Sequence, residues 1–108
     1  MTSLRQNKVS EQLRQMAARF FEKQSNRLSL ITVTRCDVSP DLRNAMIYIT
    51  VLPDSAEQSA LEFAKRNRSD LRDFVKKEIR INRIPFFEVE LDEKERKQRR
   101  VDELLKNS

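Results

Sequence analysis

The sequence predicts one small α+β domain in which helices cover one face of a three-stranded sheet. Three observations carry this. Two strand-like stretches lie five residues apart near the middle of the chain, a third alternating stretch lies near its end, and the segments around them repeat apolar residues at helical spacing. A chain of 108 residues has room for one modest core. The order read from the residues is α-β-β-α-α-β followed by a charged tail, with residues 1–93 as the domain and 94–108 as a tail or short helix.

The strand pair is the centre of this prediction. Leu30–Val38 is dense in Ile, Val and Thr, and Asn44–Leu52 places Ala45, Ile47, Ile49 and Val51 on one face and Met46, Tyr48 and Thr50 on the other. Pro40 ends the first strand, because it fixes φ and donates no backbone hydrogen bond. The connection is short, so the pair is expected to be antiparallel. Two strands alone are marginal in water, so helices must cover one face.

A first helix is expected over residues 6–23, with Val9, Leu13, Met16, Ala17 and Phe20 as its apolar stripe and Ser3 and Gln6 at capping-box spacing. Asp54 and Glu57 repeat that spacing at the start of a second helix, whose inward residues are Ala56, Ala60, Phe63 and Ala64. A third helix, capped by Asn67 or Ser69, is expected to reach about Ile81 with Leu71, Phe74, Val75 and Ile79 inward. Pro85 blocks any continuation. Residues 86–91 then alternate, with Phe87, Val89 and Leu91 on one face and Glu88 and Glu90 on the other. Residues 94–105 read as a terminal helix docking through Val101, Leu104 and Leu105.

Composition excludes several chemistries. The chain has no glycine and no histidine, which removes phosphate-cradling glycine loops, dinucleotide fingerprints, histidine triads and histidine metal sites. No cofactor and no metal is expected. No apolar run approaches the ~20 residues of a membrane span, and the N-terminal residues lack the apolar core of a signal peptide. One cysteine, Cys36, allows no internal disulfide. A reducing cytoplasm and no membrane partner are therefore expected.

Net charge is +5 and the pI about 9.7, which favours a polyanionic partner. The charge is segmented. Residues 65–83 hold Lys65, Arg66, Arg68, Arg72, Lys76, Lys77, Arg80 and Arg83 against Asp70, Asp73 and Glu78, whereas residues 53–64 and 84–93 are net acidic. Arg68, Arg72, Lys76 and Arg80 are four apart, so each steps only ~40° round a helix and the four form one stripe. Such a stripe can follow a phosphate backbone; it can also be a solvated face, but the basic balance of this side favours phosphate contact.

Other candidates are weaker. Glu88, Glu90 and Asp92 could serve a metal-dependent nuclease, but exposed strand faces are normally charged. Cys36 has no histidine to activate it and reads as a small buried or edge residue. Most phenylalanines fall on inward stripes, while Tyr48 lies on the face opposite Ile47 and could stack on a base.

The stretch LITVTRCDVSPDLRNAMIYITVL, preceded by Arg27-Leu28 and Ser29, resembles the central region of the ribosome-binding factor A family. The elements that match are Ile31-Thr32-Val33-Thr34, Val38-Ser39, Asp41-Leu42-Arg43-Asn44-Ala45 and Tyr48, and the ending Arg100-Val101-Asp102-Glu103-Leu104-Leu105 resembles that family's close. The resemblance covers most of the chain. It implies a type II KH-like fold and a non-enzymatic, monomeric factor with no small-molecule substrate. It implies binding to the immature small ribosomal subunit and its rRNA, with help in rRNA folding and end-processing, especially in the cold.

It also implies a helix-kink-helix around an Ala-x-Gly motif; here the segment is Asn67-Arg68-Ser69, with Ser69 at the glycine position. Contact with rRNA is expected along Lys65, Arg68, Arg72, Lys76, Arg80 and Arg83, with Arg5, Lys8 and Arg43 as further candidates. The alternative is a KH-like adaptor for proteins that has lost RNA binding.

Overall fold

The computed structural model describes residues 4–24, 29–80 and 83–106. Along the chain run α1 (Leu4–Gln24), β1 (Leu30–Val38), β2 (Asn44–Leu52), a short 3₁₀ turn (Asp54–Ala56), α2 (Glu57–Arg66), α3 (Arg68–Glu78), β3 (Phe86–Leu91) and α4 (Glu93–Lys106). The sheet order is β1-β2-β3. β1 and β2 are antiparallel, as their short connection requires. β3 lies parallel to β2, with Ile47 opposite Val89. A parallel neighbour needs a long crossover, and α2 and α3 supply it.

The alternation read in β2 is the one the core uses. Ala45, Ile47, Ile49 and Val51 are all buried. Leu13, Ala17 and Phe20 of α1, Ala60 and Ala64 of α2, and Leu71 and Val75 of α3 close over that face, joined by Phe87 and Val89 of β3. Two core residues lie outside the expected stripes. Phe21 is fully buried and meets Phe20 edge-on at 5.2 Å, and Leu61 is buried on α2. Consecutive Phe20 and Phe21 enter the core together because α1 packs against both β1 and α3, so its buried arc is wider than one stripe.

The loop between β1 and β2 is held by its own side chains. The Ser39 hydroxyl donates to Asp41 at 2.6 Å, and the Asp41 carboxylate accepts the Arg43 amide at 3.1 Å. Leu42 takes a positive φ of 61°, a cost of about 1–3 kcal/mol for a residue with a Cβ. Packing of its side chain against the core and the bond from its amide to the Ser39 carbonyl hold it there.

The helix ends differ from expectation at the start of α2 and at the end of α3. The Gln6 side-chain amide donates to the Val38 carbonyl at 3.1 Å, tying α1 to the end of β1; the capping box expected of it with Ser3 lies outside the described residues. Asp54 sits in the 3₁₀ turn and caps nothing, since α2 starts at Glu57 without a side-chain cap. α3 ends at Glu78 rather than near Ile81, because the β-branched Ile79 is already extended (φ −131°, ψ 148°) and packs against the core; Ile81 itself is outside the described residues.

α4 is anchored by charge, not by its apolar end. Val101, Leu104 and Leu105 are 48%, 71% and 68% exposed. Arg96 and Arg99 share the other side of the helix, three residues apart, and reach Glu57 at 3.2 Å and Asp54 at 2.7 Å.

Asp92 joins the sheet to α4. A bulge at Thr34 in β1 brings the Thr34 hydroxyl within 2.6 Å of one carboxylate oxygen, and the Glu95 amide donates to the other at 3.1 Å as an N-cap. Burial works against the charged form, but the Thr34 and Glu95 bonds outweigh it, so the carboxyl titrates below its ordinary 3.8. A depressed pKa means stabilisation that is full above the unfolded value and is lost as the pH falls through the folded one. Asp92→Ala should therefore cost about 1 kcal/mol at neutral pH and flatten the acid side of the stability profile in urea melts. Leu71→Ala should cost about 2–5 kcal/mol in the same melts, since Leu71 is fully buried where α3 meets the core.

Candidate nucleic-acid interface

The basic residues read as one helical stripe divide into two groups in space. Lys65 and Arg68 turn to the edge of the sheet. Arg68 pairs with Glu88 at 2.6 Å and Lys65 approaches Glu90 at 3.9 Å. The acidic face of β3 is thus partly neutralised by the helix pair beside it, and the edge strand carries charge along its rim. Lys76 stays exposed on α3 and Lys8 on α1. Arg80 is not on the helix, because α3 has already ended.

The second group is drawn from separate parts of the chain. Arg5 of α1, Arg80 and Arg83 of the α3–β3 connection, and Asp41 and Leu42 of the β1–β2 loop line a cleft of about 460 Å³. Arg83 also lines an adjoining cleft of about 430 Å³ with Arg43, Arg72, Ile84 and Phe86. Five guanidinium groups therefore share one end of the molecule. Among the described lining residues, Asp41 is the acid that faces them. Its carboxyl is held below the ordinary range, first by the Ser39 hydroxyl and then by the Arg43 amide, so it stays charged and committed to its loop.

Local structure explains the placement. The Phe86 amide donates to the Arg43 carbonyl at 2.8 Å, which sets the start of β3 against the β1–β2 loop. Arg72 leaves α3 half-buried, donates to the Ile84 carbonyl at 3.3 Å and lies over the Phe86 ring at 5.0 Å. Its Nε has no hydrogen-bond partner among the described residues. Sequence reasoning placed Arg72 on an outward stripe and passed over Phe86. The available signal was alternation, since Phe87 points inward and Phe86 must point out.

The break between α2 and α3 falls on Asn67 alone, at φ −100° and ψ 15°. Ser69 is inside the first turn of α3, so it is not the cap of that helix. Asn67 closes α2 with its own side chain, donating to the Phe63 carbonyl at 2.8 Å, while Arg68 Nε donates to the Lys65 carbonyl at 2.9 Å. The φ of Asn67 is negative, so the break needs no glycine.

The remaining candidates have structural occupations. Glu88 and Glu90 are in ion pairs and Asp92 is a cap. No group of three or more Cys, Asp or Glu among the described residues is placed to hold a metal ion. The Tyr48 ring is covered by Arg35 at 4.1 Å. Cys36 is buried, and that burial pushes its thiol up to about 12. No described helix is long and apolar enough to cross a membrane.

Sheet order, crossover and helix break define a KH-like α+β domain, and the two clefts give it an arginine-lined end. A family model for ribosome-binding factor A matches residues 5–105, and the chain belongs to that family. It is 39% identical over 80 residues to ribosome-binding factor A of Thermodesulfovibrio yellowstonii, covering 74% of this chain and 68% of the relative. It is 32% identical over 105 residues to that of Geobacter metallireducens, covering 94% and 89%.

The crystal structure of ribosome-binding factor A from Thermus thermophilus superposes with a TM-score of 0.70 at 20% identity, over 80% of this chain and 94% of the other. A homology model of the Thermus factor, fitted into a cryo-EM map of its 30S complex, gives 0.67 at 22%, over 75% and 88%.

Cys36 supplies a check on this architecture. In the folded protein it should react with a thiol-specific disulfide reagent at pH 8 at least about a hundredfold more slowly than a free thiol, and at the free rate in denaturant, followed by absorbance.

Proposed function

We propose that this protein is an assembly factor for the small ribosomal subunit that binds small-subunit rRNA at the arginine-lined end of the domain. The observation that carries the proposal is the convergence of Arg5, Arg43, Arg72, Arg80 and Arg83 on two adjoining clefts. Family membership supports the ribosomal partner, since a relative of the same fold was fitted into a 30S complex. Lys76 and Lys8 extend the basic surface, whereas Lys65 and Arg68 are mainly engaged with β3.

The mechanism is selective binding. The protein favours the rRNA conformation whose phosphates fit the arginines, and populations shift toward it. Help in rRNA folding and end-processing, greatest in the cold where misfolded RNA escapes slowly, follows from such a shift. No bond is made or broken and no cofactor is used. We place the factor in the cytoplasm, acting as a monomer, with residues 1–93 as the binding unit and 94–108 as an appendage.

Co-sedimentation with purified small subunits at low and moderately high salt tests this. About four to six phosphate contacts predict a ten- to thousandfold loss of affinity over a fewfold rise in salt. Arg80→Glu with Arg83→Glu should abolish binding while leaving the unfolding midpoint unchanged, because both side chains are exposed and in no ion pair with a described residue. Lys65→Glu should weaken binding far less. Binding that ignores both salt and the arginine changes would favour a protein adaptor on the same scaffold.

A further inference from the structure

Phe86 is 64% exposed, although it begins a strand whose other aromatic, Phe87, is buried. It stands in the same cleft as Arg43, Arg72 and Arg83. One side of its ring lies beneath the Arg72 guanidinium at 5.0 Å, and its backbone is fixed by the bond to the Arg43 carbonyl. Arg72 is itself held by the Ile84 carbonyl, so ring and guanidinium form a preset pair rather than two mobile side chains. A guanidinium above a ring, with further arginines in the same cleft, offers a π-face for a base and cations for the phosphates that flank it. Duplex RNA hides its base faces within the stack, so only an unpaired nucleotide can use such a surface.

We propose that Phe86, backed by Arg72, is a stacking platform for an unpaired base, and that the cleft selects single-stranded rRNA over duplex. This rests on the proposed rRNA binding and names the form of RNA that the site takes. The aromatic contributes affinity that does not depend on salt, while Arg43 and Arg83 contribute the part that does. The ring is not part of the core, and a substituted side chain leaves the backbone bond to the Arg43 carbonyl in place, so the platform can be altered with the fold intact.

The test compares the full chain with Phe86→Leu, Phe86→Trp and Arg83→Glu, using a short oligoadenylate and the same sugar-phosphate chain without bases. Phe86→Leu should weaken oligoadenylate binding about five- to a hundredfold, leave the salt slope unchanged and leave the abasic chain unaffected. Phe86→Trp should keep binding and, because the chain has no other tryptophan, report stacking by quenched emission when oligoadenylate is added. Arg83→Glu should weaken both ligands and lower the salt slope by about one.

Wild-type binding by Phe86→Leu, or unquenched Phe86→Trp, with Arg83→Glu still impaired, overturns the platform and leaves rRNA binding standing. Loss of small-subunit binding in Phe86→Leu with oligoadenylate binding unchanged also overturns it, and assigns the ring to a ribosomal protein. Failure of the wild type to bind either RNA or subunits removes the rRNA proposal and the platform with it.

Discussion

The apolar face of β2 is the surface on which the rest of the molecule depends. Ala45, Ile47, Ile49 and Val51 are buried without a break, and β2 is the strand with a neighbour on each side. β1 reaches it by a hairpin, which is local. β3 reaches it in parallel, which demands that the chain travel back across the molecule before pairing. That return path is α2 and α3, and their small or apolar residues, Ala60, Ala64, Leu71 and Val75, bring them down onto the same face. Burying the strand and completing the sheet are thus one event, and the position of β3 against the β1–β2 loop is its consequence.

Charge follows the same geometry. Segments of opposite sign along the chain are folded against each other: Lys65 and Arg68 against Glu90 and Glu88, Arg96 and Arg99 against Glu57 and Asp54. Most of these pairs are at the surface and contribute little stability each. Their larger effect is subtraction. They remove much of the basic character of the α2–α3 face and of the tail, and leave the arginines at the start of β3 facing Asp41, an acid already held by its own loop. Five arginines are thereby left close together at one end of the molecule.

A chain without glycine must turn by other means. Asn67 interrupts two helices at negative φ by bonding its side-chain amide to the turn it has just left. Leu42 accepts the left-handed region outright, with the strain offset by packing against the core. Both solutions tie a bend to neighbouring structure, where a glycine would have left it looser.

Period-two alternation in residues 44–52 and 86–91 and the apolar stripes of the helices determined the strands, the helix order and most of the core, because burial demands a pattern that local sequence must carry. The missing glycines and histidines excluded glycine-loop and histidine-based sites. The site was legible only as a list of basic residues. Arg5, Arg43, Arg72, Arg80 and Arg83 are far apart in sequence, and a helical projection grouped Arg72 with Lys76 and Arg68 instead. Only the tertiary structure separated the cations paired with β3 from those lining the clefts, ended α3 before Arg80, and set Phe86 under Arg72. The physical reason is that spacing reports which face of one element a residue shares, whereas a cleft is made where different elements meet.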